Sequence, residues 1–388
     1  MLNTTTQSGD TLHTTLKSAP MMKSVRFHGS GDIRVDEIEE PMCSKGQVKV
    51  CIMVQDEASL RRNLRKWWIH LTAIDLHEYT SGPVLIPQTP HRITGSTYPI
   101  SMGHEFGGII EEVGDGVTHL SPGQRAVVRP TIFDGTCSAC KQGHKNCCEN
   151  IGFIGLSGYG GGMSKKIVAP AGHFYSIPET ISLEAAALIE PLAVAWHAVN
   201  LSPFNPGDNV LLVGGGPIGV GVVQVLKLQG ARNIMVSELM ESRQQLCRTY
   251  GATHILDPRK GDVAQGVREI TSGVGADVIF DAAGVEKALI GAIPACKAQG
   301  TIVNIAVWEK SPSIPVNHLM YKELRYMGAA LYDETSFLDT IRAVNDGLLK
   351  PEGMISSRIR LDEVVEKGFK ALLEHRDEHC KILVDVQA

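Results

Sequence analysis

The chain has 388 residues, a length that suits two domains or three at roughly 100–200 residues each. Hydrophobic residues make up 43% and charged residues 20%, the balance of a globular chain rather than a disordered one. A net charge of −5, and aromatics at 5% beside 40 glycines, exclude a general phosphate-backbone binder and a base-stacking platform, so no nucleic-acid partner is expected.

Residues 1–21 are rich in Thr and Ser, with no apolar core and no Arg before Arg26. They read as a disordered extension rather than a targeting segment, with Met21 and Met22 as candidate starts. From about Lys23 to Lys166, short β-type runs such as Gln47–Cys51, Phe106–Val113 and Gln124–Pro130 are punctuated by Gly and Pro, predicting an all-β, barrel-like first domain over 22–199. The longest apolar stretch, Leu183 to Val199, carries Glu184, Glu190 and Pro191 and falls short of the ~20 apolar residues of a membrane span, so no membrane partner is expected. From about Asn200 the pattern alternates: strand Asn209–Val213, helix Ile218–Gln229, strand Asn233–Ser237, helix Arg243–Tyr250, strands Ala276–Asp281 and Thr301–Ala306. That alternation predicts a doubly wound α/β domain with a parallel sheet over 200–330. Residues 331–388 hold a helix, Leu361–Glu374, and a strand, Lys381–Val386, expected to return to the first domain and make the second an insertion.

Nine cysteines are an odd number, and Cys137, Cys140, Cys147 and Cys148 crowd together. In a chain this long, reduced thiols in the cytoplasm with one metal site are expected rather than a disulfide framework. Cys137-x2-Cys140-x7-Cys148, with Asp134 three residues ahead, has short-loop spacing for tetrahedral Zn²⁺, and Cys147 is the alternative to Cys148. The intervening loop is too polar to form a core, so a metal would order it. His144 reads as a solvated loop residue.

Gly214-Gly215-Gly216-Pro217-Ile218-Gly219 lies between a strand and a helix. Gly214 makes the tight turn, Gly216 lets backbone approach a pyrophosphate, Gly219 permits close helix packing, and Pro217 and Ile218 open the helix toward the negative charge. Glu238 ends the next strand about 20 residues on, where an acid binds ribose hydroxyls and repels a 2′-phosphate; NAD is the expected cofactor.

His104 and Glu105 stand ahead of a glycine-rich strand, where the imidazole could meet a metal with Glu105 beside it. Glu190 sits in an apolar run ahead of Pro191, either needing a buried partner or capping a helix start; from the residues alone both readings stay open.

These motifs, with Asp75-Leu76-His77-Glu78-Tyr79, Gly155-Leu156-Ser157-Gly158-Tyr159-Gly160-Gly161-Gly162 and Glu190-Pro191-Leu192, resemble the zinc-dependent medium-chain alcohol dehydrogenases, and within them the fungal (R,R)-butanediol and sorbitol dehydrogenase branch. The resemblance implies a GroES-like β-barrel catalytic domain and a Rossmann NAD domain, with the site in the cleft between them. It implies His104 and Glu190 as catalytic zinc ligands, Glu105 as an acid able to exchange with them, and His77 in proton relay. Asp134, Cys137, Cys140 and Cys148 would hold structural zinc. The implied reaction interconverts a secondary alcohol or vicinal diol and its ketone, here butanediol and acetoin, with a polyol as the alternative and a homodimer or homotetramer as the assembly.

The resemblance fails over residues 55–74. A family segment reading roughly Gly-Ile-Cys-Gly-Thr should lead into Asp75, and its Cys should ligate catalytic zinc; Thr72 stands there instead, with Ile74 in place of a small hydroxyl residue. Upstream, Gln55–Lys66 is charged and Arg-rich. The segment reads as translated intron or a misplaced splice site, or else as a genuine insertion with Cys51 and His70 as replacement ligands. The chain as written is expected to bind NAD, to hold catalytic zinc through two ligands only, to leave a barrel strand unpaired and to turn over poorly. A zinc-independent reductase and an inactive NAD-binding protein remain the competing readings.

Overall fold

The computed structural model describes residues 20–52, 68–375 and 377–386. The Arg-rich run 55–67 lies outside the described residues.

The chain begins with β1 (Met21–Gly29) and β2 (Asp32–Glu39), an antiparallel pair, followed by β3 (Gln47–Cys51). Then come β4 (Trp68–Leu71), α1 (Ala73–Ser81), β5 (Ile100–Ser101), β6 (Gly107–Val113) and β7 (Arg125–Val128). Short pieces follow: β8 (Thr131–Ile132), α2 (Ser138–Lys141), β9 (Gly152–Phe153), β10 (Lys166–Pro170) and β11 (Phe174–Ser176). A five-stranded antiparallel sheet in the order β10-β3-β6-β7-β11 carries the core of this part, with β2-β1-β5 beside it. Toward the end of β1, Val25 and Phe27 are buried while Arg26 and His28 between and after them are partly exposed, which is how a half-buried strand reads.

Helices α3 (Leu183–Ala186) and α4 (Ile189–Leu201) lead to a six-stranded sheet. Its elements are β12 (Asn209–Val213), α5 (Pro217–Leu228), β13 (Asn233–Ser237), α6 (Glu241–Tyr250), β14 (His254–Leu256), α7 (Val263–Ile270), β15 (Ala276–Asp281), α8 (Glu286–Ala292), β16 (Cys296–Asn304), α9 (Val316–Tyr321) and β17 (Arg325–Gly328). The order is β14-β13-β12-β15-β16-β17, and every pairing is parallel. Helices on both faces bury strands such as Asn-Val-Leu-Leu-Val nearly throughout, so they read as continuous apolar runs.

After α10 (Glu334–Asn345) come β18 (Ile355–Arg360), α11 (Ala371–Glu374) and β19 (Lys381–Asp385). Strand β19 lies between β18 and β4, pairing antiparallel with β4 in the register Ile382↔Leu71 and Val384↔Ile69. The chain end thus packs on the N-terminal part, and Ile382, Val384 and Val386 join Val25, Phe27 and Phe106 in one core.

The barrel strand expected to be unpaired falls at 55–66, outside the described residues; after it β4 bonds β19, and Ile69 bridges Phe106. One expectation needs correction. The span predicted as one helix, Leu361–Glu374, is a 3-10 turn, a π-helical run Val364–Lys370 and then α11. The wider i→i+5 winding lets Val364 and Phe369, five residues apart, face the same core.

Because Ile382 is fully buried between β18 and β4, Ile382→Ala should cost about 2–5 kcal/mol of stability, measured by urea unfolding.

Candidate functional site

Residues far apart in the chain converge on one cavity of about 600 Å³. His104 and Glu105 come from the turn before β6, Glu190 from the first turn of α4, and Lys381 from the start of β19. Gly103 lets that turn form. Its φ is +100°, and a Cβ there would lie 2.2 Å from Ile69 Cδ1 on β4. His104, Glu105, Glu190 and Lys381 are all buried and all line the cavity.

Asp75, 0% exposed, lies behind His104. Its Oδ1 is 3.8 Å from His104 Nδ1, and neither atom has a hydrogen-bond partner among the described residues. Its Oδ2 accepts the Thr72 N–H at 3.0 Å, while Thr72 Oγ1 accepts the Asp75 N–H at 3.0 Å. This reciprocal capping box starts α1. Thr72 therefore spends its hydroxyl on the helix end, and through Asp75 that helix end faces the imidazole.

The electrostatics are those of buried charge in need of a counter-ion. Burial, with the Lys381 ammonium adding to it, pushes His104 down to about 3, so its imidazole is neutral. Burial pushes Glu190 up to about 8, reinforced by the Glu105 charge, and Asp75 up to about 7. Glu105 is raised by burial against the pull of Lys381, with which it forms a buried ion pair. Three carboxylates against one ammonium leave two negative charges uncompensated when ionised. Ligand atoms of His104, Glu105 and Glu190 lie within 4.8 Å of one another. Charge and donor set suit a divalent cation. The helix-cap reading of Glu190 does not describe this site, since its carboxylate joins that group.

His77 lines the same cavity from α1, with Nε2 3.4 Å from Glu309 Oε1, and Ile74 lies on that wall too. Cys51 is buried on β3, outside the donor groups among the described residues. The His70 side chain lies outside the described residues.

A second donor group forms in the cysteine loop, where Asp134, Cys137, Cys140 and Cys148 each offer an atom within 4.8 Å of the others. The sulfurs of Cys137 and Cys148 are 3.9 Å apart. Asp134 is held well below the usual carboxylate range by the N–H of Cys137, then by Asn150 and Thr136. Cys147 and His144 point to solvent, so Cys148 completes the set.

The glycine loop leaves β12 at Val213 and enters α5, whose first turn has no side-chain cap, leaving its N–H groups available. A Cβ on Gly219 would lie 2.1 Å from Gly214 O, so only glycine allows this approach. On Gly216 a Cβ would meet only Arg243 Nη1, at 3.9 Å. Glu238 Oε2 accepts the Gly215 N–H at 2.7 Å, and its Oε1 accepts from Leu239 and Met240. Pro217 and Ile218 line the same cavity as the donor cluster.

Lys381, Asp75 and Thr72 were not singled out as functional side chains by their residue types. The signal for Lys381 was present: a cation heading the apolar run Ile382-Leu383-Val384 needs a partner, by the reasoning applied to Glu190. Cys140→Ser should remove about one bound metal ion per chain and lower the melting temperature, measured by metal analysis and thermal unfolding.

Comparison with known proteins agrees with this geometry. Residues 68–179 match the family model described as alcohol dehydrogenase GroES-like domain, and residues 217–346 the one described as zinc-binding dehydrogenase. An (R,R)-butanediol dehydrogenase of Neisseria gonorrhoeae is 35% identical over 94% of this chain and 99% of its own. One from Bacillus subtilis is 37% identical at the same coverage. The crystal structure of 2R,3R-butanediol dehydrogenase from Bacillus subtilis superposes with a TM-score of 0.84, covering 94% of this chain and 99% of that one. The chain belongs to the zinc-containing medium-chain alcohol dehydrogenases, enzymes with zinc and a nicotinamide cofactor that act on CH–OH groups.

Proposed function

We propose that this chain interconverts (R,R)-2,3-butanediol and acetoin with NAD, using His104, Glu105 and Glu190 to hold the catalytic metal. The observation that carries this reading is the shared cavity, with those donors on one wall and the start of α5, Pro217 and Ile218, on another. The rest of the wall is largely apolar: Ile74, Phe153, Val194, Ile305 and Leu331. Such a wall suits a diol ending in methyl groups better than a polyol, whose extra hydroxyls would lose water without gaining partners.

A bound divalent cation would supply Lewis-acid stabilisation of the alcohol oxygen, and a bound nicotinamide would supply the hydride-transfer chemistry. The protein's own contribution is orientation and charge. His104 stays neutral and turns Nδ1 toward Asp75, which the capping box fixes in place. Lys381 holds Glu105 at the donor cluster. Ile74 contributes no hydroxyl, and His77, on the cavity wall with Glu309 Oε1 3.4 Å from its Nε2, is the side chain placed to pass a proton outward.

Glu238 supports NAD over NADP, because a 2′-phosphate at the ribose would meet its carboxylate. Asp134, Cys137, Cys140 and Cys148 are the structural zinc ligands in this reading. Nine free thiols suit the cytoplasm. No helix among the described residues is long and apolar enough to cross a membrane. Strand β17 ends the parallel sheet, and exposed Val316, Met320, Tyr321 and Tyr326 near it support a homodimer.

In a spectrophotometric assay, the zinc-supplemented chain should oxidise NADH with acetoin and far more slowly with a ketose; faster ketose reduction would favour the polyol reading. A second reading, an NAD-binding protein without turnover, draws on Thr72 and is favoured if no divalent cation elicits activity. Glu238→Ser should raise the KM for NAD by roughly 10–100-fold, the worth of hydrogen bonds to a charged group, and erode the preference over NADP. An unchanged cofactor ratio in steady-state kinetics would remove Glu238 from the ribose site.

A further inference from the structure

Among the described residues, two metal-donor groups differ in chemical character. The cysteine loop offers three sulfurs and one carboxylate, whereas the cavity offers one imidazole and two carboxylates. The position from which a thiolate would reach the cavity is Thr72, and its hydroxyl is already committed to the Asp75 N–H. Cys51 is not part of the cavity group. Among the described residues, the cavity donors are therefore nitrogen and oxygen only.

Thiolates favour zinc, while imidazole and carboxylate oxygens serve manganese, iron and cobalt as well. Lys381 also competes for Glu105, so a cation entering the cluster shares that carboxylate with an ammonium. Both features weaken retention and selectivity.

We propose that the cavity is an exchangeable nitrogen–oxygen site that takes manganese(II) or cobalt(II) as well as zinc, while the cysteine loop keeps zinc tightly. The inference rests on the reading of the cavity as the catalytic metal site and adds which ions it accepts.

The full-length chain, dialysed against a chelator, should keep about one zinc per chain. Manganese(II) should then bind at one per chain, read by loss of the free-ion paramagnetic resonance signal. Cobalt(II) added to the same protein should show d–d absorption without a thiolate-to-cobalt charge-transfer band. Thr72→Cys should introduce that band and slow release of the cavity metal by at least the roughly 10–100-fold that outer partners are worth. Thr72→Ser keeps a capping hydroxyl without a thiolate and should behave as the parent chain does.

Two zinc ions surviving dialysis, absent manganese uptake, or a charge-transfer band in the parent chain would each overturn the proposal. The last would reveal a sulfur ligand in the cavity. Manganese uptake without alcohol turnover would sustain this inference and sink the butanediol reading. Turnover with non-exchangeable zinc would do the reverse.

Discussion

A cluster of buried charge at the cleft is what the rest of the structure must accommodate. Asp75, Glu105, Glu190 and Lys381 are all nearly inaccessible to water, and His104 lies among them. Unpaired burial of one such group is very costly, and even a paired one gives up its hydration. The cluster persists because each member is supplied by a separate, well-packed element. Strand β19 brings the ammonium, α4 one carboxylate, the turn before β6 the imidazole and another carboxylate, and α1 the third. His104, Glu105 and Glu190 offer donor atoms within 4.8 Å of one another, a set that suits a divalent cation.

Thr72 shows how a local structural role and a missing ligand coexist. Its backbone N–H and its hydroxyl both serve Asp75, and Asp75 faces His104. The residue that replaces the family's thiolate thus still orders the metal's surroundings, at one remove. Ile74 and Thr72 together make this wall of the cavity less basic and more apolar than the family pattern implies. Beside that wall, β4 is paired along its length with β19.

The nucleotide side follows a different constraint, close backbone approach. Gly219 sits where a Cβ would strike the Gly214 carbonyl, and Glu238 reaches across to the Gly215 N–H. Loop, helix start and acid therefore form one unit, held by contacts that tolerate no added atom. At Gly219 the loop does not tolerate added bulk.

Much was legible in the sequence wherever the determining physics is local. Strands Gln47–Cys51, Asn209–Val213, Asn233–Ser237 and Ala276–Asp281 occur with the bounds expected, because apolar runs between turn residues carry their own signal. The glycine loop and the cysteine spacing were likewise readable, since their partners lie within a few residues. Tertiary structure alone decided what depends on long separation. The ion pair of Lys381 with Glu105 spans 276 residues, and the π-helical winding at Val364–Lys370 answers to a core built from both chain ends. Sequence alone could show that Thr72 is not a cysteine. Only folding could show that Asp75 faces His104 and that Glu105 joins His104 and Glu190, because side-chain direction is set by packing and not by order along the chain.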